Sequence, residues 1–159
     1  MDLGRVILAQ KSAIKVGSWR SGKVPRADFP LGRNAFRLGS SVQWCVVSFQ
    51  VLGAEGRVLV VFNPGKEKFQ AVLGVMGVGS VLHVLCDYQY HATEPGWHAH
   101  ASCEPASRIP AGVLRGPWIK RIPAPRAWHR RADFALDGQE GALRFALDRY
   151  RIYEKGPLL

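Results

Sequence analysis

An α+β fold, a mostly antiparallel and curved or barrel-like sheet with one C-terminal helix, is predicted by three observations. Runs rich in β-branched and aromatic residues recur between Val42 and Cys103. Gly- and Pro-containing turns separate them. After Asp137 the apolar spacing changes to a helical period.

Taken in order, Arg5–Val16 opens on Val6-Ile-Leu-Ala9, whose Val and Ile content predicts a strand, with a helix as the alternative. Residues 17–39, with four glycines and two prolines, predict a long basic loop or arm. Val42–Leu52 and Arg57–Phe62 predict a hairpin around Gly53-Ala-Glu-Gly56. Asn63-Pro-Gly65 is a turn by its chemistry, since Pro presets φ and Gly accepts φ > 0. Phe69–Val78 and Val81–His91 are further strands, and Trp97–Cys103 pairs back after a turn at Thr93–Gly96. Residues 105–131 hold five prolines and predict an extended, basic wrapping segment, because proline removes a ladder donor. Asp137-Gly-Gln-Glu140 resembles a capping box for a helix over 137–153, along which Leu143, Ala146, Leu147 and Tyr150 share one face. A hairpin of Phe134–Leu136 with Leu143–Leu147 is the competing reading there.

The chain has 159 residues, the size of a single domain over 1–159, and 47% hydrophobic residues, enough for a core without staples. No apolar run approaches the ~20 residues that cross a bilayer, and the N-terminus lacks a signal-peptide pattern. No membrane partner is expected. Cys45, Cys86 and Cys103 are an odd count without a CxxC pair, which predicts reduced thiols and a cytoplasmic location.

The charge is uneven. Lys and Arg number 22 against 12 Asp and Glu, a net charge of +10. Leu3–Ala27 has six basic residues and no acidic one, and Pro105–Ala132 has seven and none. Two such segments converging on one face would attract a polyanion. In the second, Trp118 and Trp128 interleave with Lys120, Arg121, Arg130 and Arg131, a mixture that can stack bases and pair phosphates. For Trp118, a role plugging the sheet edge is the favoured expectation.

Four of the five histidines fall between His83 and His100. With Thr93–Gly96 as the loop, His91 lies opposite His98. The period of two then puts His83, Leu85, Asp87, Gln89 and His91 on one face with His98, His100 and Ser102. The opposite face, with Val84, Cys86, Tyr88, Tyr90, Ala99, Ala101 and Cys103, suits a core. Three readings of the polar face stand together. His91, His98 and His100 could hold zinc, with Asp87 as an alternative third ligand. The same imidazoles could act as general acid and base on a phosphodiester. The face could also be a solvated polar surface. No Rossmann, Walker, nucleophile-elbow, HExxH or EF-hand spacing is present, which excludes the enzymes built on them.

The expectation is therefore a basic protein that binds RNA, DNA or a nucleotide at His91, His98, His100, Asp87 and Gln89. Arg115, Lys120, Arg121, Trp128, Arg130 and Arg131 would hold the phosphates, with or without hydrolysis. The alternative is an interaction module that binds an acidic protein through the same positive surface. A homodimer through an exposed strand edge stays open.

Overall fold

The computed structural model describes residues 1–31, 38–91, 94–124 and 134–153. Leu3–Leu8 forms a helix, α1, although its apolar run predicts a strand. The reason lies one residue upstream: the Asp2 carboxylate accepts from Arg5 N at 2.9 Å and caps the first turn. The strand expected in this region follows it, as β1 (Ser12–Val16). Within the 17–39 arm, Arg20–Ser21 forms a short strand, β2.

The centre is a meander of β3 (Gln43–Val51), β4 (Ala54–Asn63), β5 (Lys68–Met76), β6 (Leu82–His91) and β7 (Glu94–Ser102), extended by β8 (Ile119–Ile122). All pairings are antiparallel, in the order β1-β3-β4-β5-β6-β7-β8, with β2 beside β3. The path runs from β1 to β8 without closing, so the sheet is curved rather than a barrel. Three boundaries differ from the predicted ones. The β3–β4 turn is Leu52-Gly53, with φ of 51° and 78°, so β4 begins inside the predicted Gly53–Gly56 loop. Glu94–Gly96 belongs to β7 instead of a turn. Segment 105–131 is not wholly extended: Ala106–Arg108 is a 3-10 turn, and β8 fits between Pro117 and Pro123 because neither proline falls inside it.

The sheet buries both faces. One face carries Cys45, Val47, Phe49, Val60, Phe62, Ala71, Leu73, Tyr88 and Tyr90. It is covered by α1 and by the C-terminal helix α2 (Gly138–Tyr150), within the predicted 137–153. Asp137 stands at the N-cap but makes no side-chain capping bond, so the capping box does not form. Packing holds this helix instead. Ala142 and Ala146 are fully buried against the sheet, and the Tyr150 hydroxyl donates to Ala71 O at 2.7 Å. The other face carries Val42, Trp44, Leu59, Val61, Val72, Leu82 and Val84. It is covered by the arm, through Val24 and Phe29, and by Leu114. The Trp44 indole N–H donates to Gly22 O at 3.1 Å and anchors the arm over it. Among the described residues, no helix is long and apolar enough to cross a membrane.

Candidate functional site

On this second face the apolar cover gives way to polar side chains along β5, β6 and β7. The β6–β7 register sets them. Gln89 pairs with His98 and Asp87 with His100, while His91 pairs with Glu94. The predicted register, with His91 opposite His98, is thus shifted by two residues, and the ladder is irregular between Gln89 and His91. A shift of two keeps every side chain on its face. Asp87, Gln89, His98 and His100 therefore share one face as expected, although their partners change.

His83 does not join them. Between Leu73 and Gly74 the β5–β6 register slips, so that Leu73 pairs with Cys86 and Gly74 with Val84. The bulge turns Leu85 into the helix-side core and reverses the residues before it. His83 lies opposite Val75, and its Nδ1 lies 2.7 Å from Ile109 O. Val84, expected on the core face with Tyr88, packs with the arm-side cluster instead.

Asp87 is 1% exposed. Gln70 Nε2 donates to its Oδ1 at 3.0 Å, and the Arg115 guanidinium donates to its Oδ2 at 3.0 Å. Burial pushes this carboxyl up from its ordinary range, and Arg115 and Gln70 oppose the rise. The carboxylate is thereby neutralised inside the fold, and Arg115 is held as its partner.

The imidazoles form a row. The ring centroids of His91 and His98 are 5.2 Å apart and those of His98 and His100 5.4 Å, each pair edge to face. His98, in the middle, is 1% exposed. Gln89 Nε2 donates to His98 Nε2 at 3.0 Å, which places the ring proton on Nδ1, 3.4 Å from Gly96 O. His91 and His100 are half-buried. Arg121, on β8, pairs in register with His100. Lys120, one residue earlier, pairs with Ala101, so alternation directs it to the opposite face, away from the row. Ser102 Oγ, two residues beyond His100 on β7, is buried without a hydrogen-bond partner among the described residues. Trp118 packs against the helix-side core. Trp128, Arg130 and Arg131 lie outside the described residues.

Among the described residues, no group of three His, Cys, Asp or Glu is placed to hold a metal ion. The middle ring has both nitrogens directed at protein atoms. Sequence reasoning missed two participants, Gln70 and the pairing of Arg115 with Asp87. Gln70 was legible in principle: it has the parity of Val72 on β5, and β5 neighbours β6.

Compared with protein-family models, curated proteins and solved structures, the chain matches none. The functional reading rests on the chemistry of the row itself.

Proposed function

We propose that the chain binds a phosphate-rich ligand, a single-stranded nucleic acid, along β7 and β8 of the arm-side face. The observation that carries this reading is the row of three imidazoles continued by Arg121 in register beside His100. Imidazole and guanidinium N–H groups both donate to phosphate oxygens. The buried carboxylate beneath this patch, Asp87, is compensated by Arg115. The net charge of +10 adds a long-range attraction. In this reading His91 and His100 contact the ligand. His98 positions them, because its ring nitrogens are directed at Gln89 and Gly96.

The test is fluorescence anisotropy with a labelled single-stranded RNA oligonucleotide over a salt series. Affinity should fall steeply and linearly on logarithmic axes between roughly 50 and 200 mM salt. Arg121→Ala should weaken binding about tenfold and lower the salt slope by about one. His100→Ala should weaken it severalfold with the fold intact. Absence of binding at low salt, or equal affinity for wild type and both variants, refutes the proposal. Tighter binding of an acidic peptide than of RNA would assign the surface to an acidic protein partner instead.

A further inference from the structure

On the other side of the sheet, the link from α1 to β1 meets the end of α2. Lys11 lies in that link and is 2% exposed, an unusual burial for a lysine. Its Nζ donates to Ile7 O at 2.6 Å. An ammonium has three N–H donors, so this bond leaves two. Among the described residues no carboxylate pairs with it. The charge that acts on it is a second cation, Arg151. Burial and that guanidinium together draw the Lys11 amine down to about 8.

Arg151 is itself unusually placed. It closes α2 in the left-handed conformation, φ 53°, where glycine is the favoured residue. Its N–H caps Asp148 O and Leu147 O, and its side chain is exposed. Lys11 and Arg151 line one cavity of about 250 Å³, together with Leu8, Gln10 and Tyr153. Two cations converging with no paired carboxylate among the described residues leave a field that an anion would satisfy. A guanidinium fork and an ammonium point charge are the complementary pair for a planar or tetrahedral oxyanion.

We propose that this cavity is a small-anion site in which Lys11 and Arg151 together bind the phosphate or carboxylate group of a metabolite-sized ligand. The volume admits one such group and a short apolar stem against Leu8 and Tyr153. The cavity is separate from the imidazole row, which lies on the opposite face of the sheet.

Calorimetric titration of the full chain with inorganic phosphate and with acetate, at matched ionic strength against chloride, tests the site. One equivalent of phosphate or acetate should bind saturably, with a Kd in the millimolar range or tighter. The anion that binds more tightly identifies the head group. Lys11→Met and Arg151→Gly should each weaken binding at least about tenfold, the loss of one charge-assisted contact. Arg151→Gly places glycine where the backbone favours it, so that variant is expected to fold. Lys66→Ala, at an exposed lysine outside both surfaces, should leave the titration unchanged. No saturable binding, or binding unaltered by Lys11→Met and Arg151→Gly, overturns the proposal. Binding lost on Arg121→Ala instead would assign the anion to the imidazole row, overturning this site while sparing the reading of that row.

Discussion

Arg115→Ala is expected to lower stability by about 2–3 kcal/mol at pH 7.5, because it leaves the Asp87 carboxylate buried without its counter-charge. Breaking a fully buried pair typically costs about 3–5 kcal/mol. The Arg115 side chain is 49% exposed, so water reaches its end of the pair and the lower figure applies. The pH dependence has a definite sign. Burial raises the Asp87 carboxyl in the folded state, so its contribution to stability is greatest at acid pH and is lost as pH rises through the folded value. Arg115 opposes that rise. Without it the folded value climbs further, and the loss extends to higher pH. The deficit of Arg115→Ala against wild type should therefore shrink as the solution is acidified. Asp87→Asn should cost only about 1–2 kcal/mol, since the amide can still accept from Gln70 and buries no charge. Adding Asp87→Asn to Arg115→Ala should recover part of the loss. Urea unfolding of the four proteins at two pH values closes the cycle. Additive losses, or a pH-independent deficit, would show that the pair does not carry the charge balance assigned to it.

What the sequence made legible, and what it hid, follows from where each signal resides. The meander from β3 to β7 is local: β-branched alternation and turn residues mark it, and its boundaries shift by only a few residues. The polar face survived a two-residue error in register because side-chain direction depends on parity alone. His83 was lost for the same reason. The bulge at Leu85 changes parity, and neither Leu85 nor its neighbours differ in kind from ordinary strand residues. The α1 helix was obscured by Val6 and Ile7, whose propensity favours a strand, while the deciding residue, Asp2, lies outside the apolar run. β8 was hidden by its flanking prolines. Lys11 carries no local sign of burial, since that burial is produced by the end of a helix about 140 residues away in the chain.

The polar face that carries the imidazole row depends on how segment 109–116 is seated, because it brings Arg115 to Asp87 and packs with the arm. Gly112 does the seating. Its N–H donates to Leu82 O at 2.9 Å, and Leu82 N–H in turn donates to Pro30 O at 3.3 Å. Segment, sheet and arm therefore meet at one point.

Gly112→Ala should accordingly cost about 3–4 kcal/mol, and two separate terms produce that figure. The residue has φ of 70°, where a Cβ costs roughly 1–2 kcal/mol. The added Cβ would also fall inside the van der Waals surface of the Leu31 carbonyl, a backbone group that cannot rotate away. Relieving that overlap by backbone shifts adds about 1–3 kcal/mol. Gly79 supplies the control, with nearly the same φ of 77° and nothing within 4 Å of its hypothetical Cβ. Gly79→Ala should lose only the conformational term, about 1 kcal/mol. The difference between the two variants in chemical denaturation isolates the contact with the arm. Equal losses would show that the arm yields freely at Leu31 and does not press on Gly112. A larger loss at Gly112 should come with a smaller penalty for Arg115→Ala in that background, because displacing the segment already draws the guanidinium away from Asp87.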